Sequence, residues 1–470
     1  MTGSTDLTAS PRPGGRRAVV GMISLGCARN LVDAEVMLGS LTKAGYLITS
    51  DPATADVILV NTCSFIDVAR DESRGEIEEA LRQKRKGRCQ AVIVTGCWPQ
   101  TSAEALAAEF PEVDAFVGVG EVERIGEVVG RLLSGGARPT GPLVPLSPPD
   151  YLYDHRSPRL LATPPWLAYL KIAEGCDHRC TFCTIPRIRG RYRSRELESV
   201  VAEAARWAGE GVREFIVIAQ DTTSYGVDRY GKRMLVPLLR RLSEIESVRW
   251  VRMMYGHHES IAEELIELLA EGGKVCRYLD IPFQHSHPAV LRRMGRAGDG
   301  DAYLRMIEHI RERVPEVTIR TSLLVGHPGE GEQEFGHLMQ FLEAAQFDRA
   351  GVFAYSREAG TPSGEAADQL PREIGQQRRG LMMEAQQRIC SRRNRAWIGR
   401  EIEVLLEDTS GGTWSGRSER DAPEVDGLVY VQAATRARAS ARPGDFVRVR
   451  ITESGPYDLA GRVYPARVRR

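Results

Sequence analysis

Lysine is scarce in this chain, with six residues against 57 arginines in a length of 470. The 63 basic residues are offset by 63 acidic ones, so the formal net charge is zero. A protein that grips nucleic acid by its overall field is therefore not expected. Long apolar runs are missing as well. No stretch of about 18 or more apolar residues occurs, which argues against a membrane-spanning helix. The first 17 residues, MTGSTDLTASPRPGGRR, are polar and lack the apolar stretch of a signal peptide. They read as a disordered leader on a cytoplasmic protein. Disulfides are the next exclusion, because the cytosol keeps thiols reduced. The nine cysteines are thus read first as metal ligands or catalytic groups.

The chain is too long for one ordinary core and divides by composition. From residue 18 to 133, AVVGMISLG, ADVILVNT and AVIVTG alternate with helix-like segments, the βαβ signature of a parallel sheet. A Gly/Pro-rich stretch opens a linker over 134–161. From 162 to 395, LAYLKIA, REFIVIA, WVRMMY, RYLDIP, IRTSLLVG and GVFAYS are six strand candidates separated by amphipathic helices. A partial (β/α)6 barrel is predicted, with chemistry at the C-terminal ends of its strands. From 396 to 467, EIEVLLE, TWSGRS, GLVYVQ, DFVRVRIT and YDLAGRVY fit a small antiparallel β-barrel. The fold class is α/β with that terminal β-barrel.

Cys176, Cys180 and Cys183 form C-x3-C-x2-C directly after the first barrel strand. A cubane iron–sulfur cluster uses four ligands, usually thiolates. This loop supplies three and leaves one iron open to chelate the amino and carboxylate groups of S-adenosylmethionine. Structural zinc is the alternative, but its sites favour four ligands in C-x2-C pairs. Gln220 and Asp221, His257 and His258, Gln284 and His285, and the segment Gly326–Glu330 each follow a predicted strand. They are expected at one mouth beside the loop, with Gln220, Asp221, Gly326 and Glu330 as candidate contacts to the sulfonium cofactor.

Cys27, Cys63 and Cys97 are dispersed, yet each ends the same phrase: MISLGC, ILVNTC, VIVTGC. In a parallel sheet the strand C-termini share one edge, so three thiols there can converge on a second metal site. Three buried core cysteines are the bland alternative. Cys89 starts its strand, on the opposite edge, and is a poor fourth ligand. Cys276 and Cys390 read as structural.

Taken together, these residues resemble the methylthiotransferase family of radical SAM enzymes, from Ala18 to Tyr464. The terminal barrel resembles a TRAM domain. SLGCARNLVDAE, EGCDHRCTFCTIP, YLDIPFQH and GRSERDAPEVDGLVYV resemble the branch that modifies a small-subunit ribosomal protein. Ala28-Arg29-Asn30 stands where the branch acting on tRNA adenosine carries Gln-Met-Asn. His327 stands where relatives usually have Phe. The resemblance implies two 4Fe-4S clusters, one on each triplet, and two S-adenosylmethionine molecules per turnover. It implies methylthiolation of the β-carbon of an aspartate in ribosomal protein uS12. Sulfide or polysulfide would be the sulfur source, and a flavodoxin or ferredoxin the electron donor. A non-catalytic iron–sulfur protein is the reading of a different class; it predicts no deoxyadenosine from S-adenosylmethionine.

Charge bears on protein against RNA as substrate. From Trp397 to Ala466 there are nine Arg, no Lys and eleven acidic residues. Such a barrel, with SERDAPEVD (418–426) as its acidic stretch, is expected to suit a basic ribosomal protein better than RNA. TRARASAR (435–442) points the other way, as a local phosphate contact.

Overall fold

A computed structural model describes residues 16–134, 141–410, 413–432 and 441–463. Most of the leader, part of the linker and residues 435–440 of the arginine-rich stretch lie outside these. The chain forms two compact units. One comprises Met1–Pro164, Ala173–His178 and Thr184–Glu203; the other comprises Pro165–Ile172, Arg179–Cys183 and Ala204–Arg470.

In the first unit, strands Val19–Ser24 (β1), Leu47–Thr49 (β2), Val57–Thr62 (β3), Ala91–Gly96 (β4) and Ala115–Val117 (β5) form a parallel sheet in the order β2-β1-β3-β4-β5. Every residue of β3 and β4 is buried, as continuous Val/Ile runs require in a sheet covered on both faces. Helices Ala28–Lys43 (α1), Asp67–Lys86 (α2), Cys97–Glu109 (α3) and Ile125–Leu133 (α4) connect and flank the strands. Ile58, Val60, Ile77, Leu81, Val94 and Phe116 share one apolar core.

The described part of the predicted linker is not loose. The Phe116 amide donates to Leu143 O at 2.8 Å and the Leu143 amide to Asp114 O at 2.9 Å, so the segment extends the sheet beyond β5. Its prolines hold it extended while leaving carbonyls free to pair. Further on, the fully buried Arg159 pairs with Glu35 of α1 at 2.5 Å and with Glu203 at 2.6 Å.

In the second unit, Leu167–Lys171, Glu214–Ile218 and Trp250–Met253 form one three-stranded parallel sheet. Tyr278–Asp280, Thr318–Val325 and Arg349–Ala354 form another. A bridge from Val251 to Val275 and the Gly256 amide on Asp280 O (2.9 Å) connect the two. Six parallel strands thus stand in chain order, an open (β/α)6 barrel. All six sequence candidates are among them.

The terminal domain is a closed barrel of Glu401–Asp408, Thr413–Ser418, Val429–Gln432, Leu459–Val463 and Phe446–Ser454, in that order around the wall. Four neighbouring pairs are antiparallel, and Val429–Gln432 runs parallel to Leu459–Val463. An odd number of strands closed on itself cannot alternate direction everywhere. One parallel pair is a topological necessity, and the all-antiparallel expectation is corrected to that extent.

The segment 416–426 corrects a second expectation. Two of its four acids face inward: Asp421 is buried and pairs with Arg349 at 2.7 Å, and Asp426 accepts from Tyr278 Oη at 2.6 Å. Arg420 donates to Asp348 at 3.1 Å. Glu214, at the start of its barrel strand, is held by Arg252 (3.0 Å) and by Arg417 (2.7 Å), all three wholly buried. These charges seat the terminal barrel on the strand-start end of the (β/α)6 barrel. Asp421 and Asp426 are thus engaged inside the unit, while Glu419 is half-buried and Glu424 exposed, so the net-charge argument for a basic partner is weakened by two of the segment's four acids.

Candidate metal centres

The first unit brings the three dispersed cysteines to one edge of its sheet. Register places Ser24 beside Asn61 and Thr62 beside Gly96, so the chain leaves β1, β3 and β4 side by side. Cys27 is the N-cap of α1, Cys63 directly follows β3, and Cys97 is the first residue of α3. Two of the thiols thus sit at helix N-termini, where the partial positive charge favours thiolate.

Glycine permits the approach. Gly26 has φ +86°, and a methyl group there would lie 2.7 Å from Cys63 Cβ and 3.1 Å from its sulfur. Gly96 has φ +99°, and a methyl group would meet Asn61 Oδ1 at 2.5 Å. Ser73 fixes the intervening turn: its Oγ accepts from the Cys63 amide (3.3 Å) and donates to Cys63 O (3.0 Å).

The electrostatics distinguish the three sulfurs. Burial pushes Cys63 up to about 11, helped by the neighbouring Cys97 and Cys27. Burial also raises Cys97, with Arg189 opposing it. Burial alone would raise Cys27, but Arg29, the Asn30 amide and Arg189 outweigh it and lower that thiol. Cys27 thus acts on both of the other thiols, and Cys97 on Cys63. Their donor chemistry fits iron, since three thiolates at one edge leave one position open on a cubane.

Arg189 was not singled out from the sequence. It closes the short helix Ile185–Arg189 and donates to Cys97 Sγ at 3.1 Å and to Asn30 Oδ1 at 3.3 Å. Cys89 lies at the other edge, its sulfur 3.2 Å from Ala91 O. Cys276 is buried and pushed up to about 12 by that burial. Cys390 is engaged with Asp348 O at 3.3 Å and Arg349 at 3.2 Å.

The loop triplet occupies eight continuous residues. On the first unit, the Cys176 amide donates to Gly190 O at 3.1 Å. On the second, the Cys183 amide donates to Cys180 O (3.1 Å) and Thr181 donates from its amide to Met294 O (3.0 Å). Arg296, also unnoticed in the sequence, donates to Cys180 Sγ at 3.6 Å and to Pro282 O at 2.7 Å. Its other contact, 3.1 Å to His258 Nδ1, uses that nitrogen as acceptor, leaving Nε2 to donate to Ala297 O at 3.1 Å. His258, stacked on His257 with centroids 4.6 Å apart, is thus a positioning group for Arg296.

The remaining strand-end residues make separate contacts: the His257 amide donates to Thr223 Oγ1 (3.0 Å), the Gln284 amide donates to Ser322 O (2.9 Å), and His285 Nε2 lies 3.5 Å from Glu330. Asp221 is spent locally, accepting from Thr223 (3.0 Å from N, 2.5 Å from Oγ1) and from Ser224 (3.2 Å from N, 2.5 Å from Oγ). Glu330 accepts from the Gly326 amide (2.9 Å) and from Arg378 (2.8 Å), closing its own turn. Gln220 stands half-buried at the end of its strand. His327 packs edge-on to Phe182 and lies 2.8 Å from Ser363 Oγ, which donates to Thr181 Oγ1 at 2.8 Å. Burial lowers it to about 4, so it is a neutral aromatic at neutral pH and fills the place of a Phe.

The chain matches the uncharacterised protein family UPF0004 over residues 19–118, the radical SAM superfamily over 170–342 and the TRAM domain over 398–463. It is 49% identical to the ribosomal protein uS12 methylthiotransferase RimO of Symbiobacterium thermophilum, covering 97% of this chain and 94% of that one. To the protein of the same name from Pelotomaculum thermopropionicum it is 47% identical, over 94% and 98%. Among solved structures it resembles the radical S-adenosylmethionine methyltransferase TsrM from Kitasatospora setae with a TM-score of 0.54 at 19% identity, over 74% of this chain and 77% of that one. That likeness concerns the fold. The near-complete matches, and the two cysteine triplets that lie inside the first two matched segments, place the chain: it belongs to the radical SAM methylthiotransferase family, on the branch whose members are named RimO.

Proposed function

We propose that this enzyme adds a methylthio group to the β-carbon of an aspartate in ribosomal protein uS12, using an iron–sulfur cluster on Cys176, Cys180 and Cys183 and a second on Cys27, Cys63 and Cys97. The observation that carries this is the end-to-end identity with relatives named for that activity. An unactivated C–H bond is beyond acid–base chemistry, which supports a radical route. When bound, the loop cluster supplies the electron that cleaves S-adenosylmethionine, and the sheet-edge cluster supplies an iron position for sulfide or polysulfide.

The chain's own residues do the positioning. Arg296 and Thr181 hold the Cys180 segment against the rim, and Arg296 is in turn oriented by His258. Gln220 and the Gly326–Glu330 turn are assigned to the S-adenosylmethionine end of the rim, with Asp221 and Glu330 acting through the turns they close. A flavodoxin or ferredoxin serves as electron donor, and a ribosomal substrate implies a cytoplasmic site of action. Among the described residues no helix is long and apolar enough to cross a membrane. No observation favours tRNA adenosine, the alternative considered from the sequence.

The test is direct. Reconstituted enzyme is incubated with S-adenosylmethionine, sulfide, dithionite and either uS12 or tRNA, and both are weighed by mass spectrometry. A methylthio group in place of hydrogen on uS12 is expected. An adduct on tRNA alone would overturn the assignment.

A further inference from the structure

Each cysteine triplet has one sulfur that accepts a hydrogen bond from a buried arginine, and the sheet-edge pair is the tighter of the two. Arg189 is only 4% exposed at its side chain. Its guanidinium reaches four groups: Cys97 Sγ at 3.1 Å, Asn30 Oδ1 at 3.3 Å, Glu174 at 3.5 Å and Asp33. All lie in the first unit, on three separate pieces of chain, with Asn30 and Asp33 both on α1. Asn30 is itself fixed, its Nδ2 donating to Leu25 O at 2.7 Å and to Thr62 O at 3.3 Å. The carboxamide therefore presents only its oxygen to the arginine. One buried cation is thus shared among two carboxylates, a carboxamide oxygen and the Cys97 sulfur, with almost no exposed face to dilute its charge.

We propose that Arg189 is a positioning residue for the sheet-edge cluster: it orients the Cys97 sulfur as a ligand and sets the reduction potential of the iron held there, with Asp33 as its counterweight. The inference rests on the reading that Cys27, Cys63 and Cys97 bind a cluster of their own. Hydrogen bonds to cluster sulfurs and the local charge set such potentials. An electron added to a site ligated by three thiolates, with two buried carboxylates on the neighbouring guanidinium, would meet the negative charge of those groups. The Arg189 guanidinium is the charge that opposes this at Cys97, and it does so through a directed donor at hydrogen-bond length. Asp33 is bonded to the same guanidinium that donates to Cys97, so its negative charge acts on the site in the opposite sense. The arrangement therefore makes a signed prediction. Removing the cation makes the iron harder to reduce, and removing the carboxylate makes it easier.

The experiment uses the full chain carrying C176A, C180A and C183A, reconstituted with ferric iron and sulfide, so that only the sheet-edge site is loaded. Iron content is measured first, then the midpoint potential by dithionite titration followed by electron paramagnetic resonance. R189Q is expected to lower the equilibrium constant for one-electron reduction at least tenfold, which is a 59 mV shift. D33N is expected to move it the opposite way, and R189K to stay nearer the parent than R189Q. If R189Q fails to fold, because two buried carboxylates lose their partner, D33N and R189K still carry the signed comparison. Potentials of all variants within error of the parent would overturn the proposal. So would D33N shifting in the same direction as R189Q, the result a merely structural role gives. A parent that holds no iron would instead refute the cluster reading on which the proposal stands.

Discussion

Replacing Glu214 by Gln should loosen the terminal barrel from its seat far more than replacing Arg417 by Met, although the two residues are ion-paired. Glu214 is shared by two arginines, at 3.0 Å and 2.7 Å, and all three side chains are 0–1% exposed. Neutralising the carboxylate leaves both guanidiniums short of charge. Arg252 keeps the carbonyls of Glu419 (2.7 Å) and Ser418 (3.3 Å), and Arg417 keeps Glu407 at 2.8 Å. Breaking a buried pair costs about 3–5 kcal/mol, and these remaining partners put the cost near the lower end, about 3 kcal/mol. Arg417→Met leaves Glu214 with Arg252 and leaves Glu407, 24% exposed, to water. About 1.5 kcal/mol is expected there.

Hydrogen exchange read on peptides from Thr413–Ser418 and Val429–Gln432 reports the opening of the barrel. The expected acceleration is roughly a hundredfold for Glu214→Gln and roughly tenfold for Arg417→Met, at tenfold per 1.4 kcal/mol. The arginines hold Glu214 below the ordinary carboxylate value of 4.5 despite its burial. Its contribution is therefore present above that value and is lost as pH falls below it. Equal acceleration in the two variants, or the reverse order, would refute the reasoning.

Two further outcomes follow from the metal sites and their surroundings. His327, held at about 4 by burial, takes up a proton more readily unfolded than folded, so stability should rise with pH between about 4 and 6.5. The size is about 3 kcal/mol at 1.36 kcal/mol per pH unit; His327→Phe should flatten that slope in urea titrations at successive pH values, and an unchanged slope counts against the assignment. Gly26→Ala puts a methyl group 2.7 Å from Cys63 Cβ in a left-handed backbone, so iron at the sheet-edge site should be lost while the loop site keeps its own. Full iron in Gly26→Ala would mean that the two thiols do not depend on this approach.

What was legible in the sequence was whatever depends on local pattern. The six strands of the (β/α)6 barrel and the five of the terminal barrel were marked by β-branched runs between turn residues. The placement of Cys27, Cys63 and Cys97 on one edge followed from chain direction in a parallel sheet, and all three follow neighbouring strands at that edge. Arg189 and Arg296 were not legible. Their partners lie far off in sequence, Asp33 being 156 residues from Arg189 and Cys180 being 116 from Arg296, and nothing local separates them from the other arginines. The acidic segment 418–426 was only half legible for the same reason: formal charge says nothing about burial, and Asp421 and Asp426 answer Arg349 and Tyr278 inside the unit while Glu424 stays exposed. Asp221, expected at the cofactor, has the hydrogen bonds of a turn-capping residue, which its sequence Asp-Thr-Thr-Ser also allowed.

The central claim is that the chain holds two separate clusters, one per triplet. Iron and acid-labile sulfide, measured after reconstitution in the C176A/C180A/C183A and C27A/C63A/C97A variants, test it most directly. Each variant should keep about half the iron of the parent, consistent with one cubane per triplet. Loss of all iron from either one, or full retention in the second, would contradict the account.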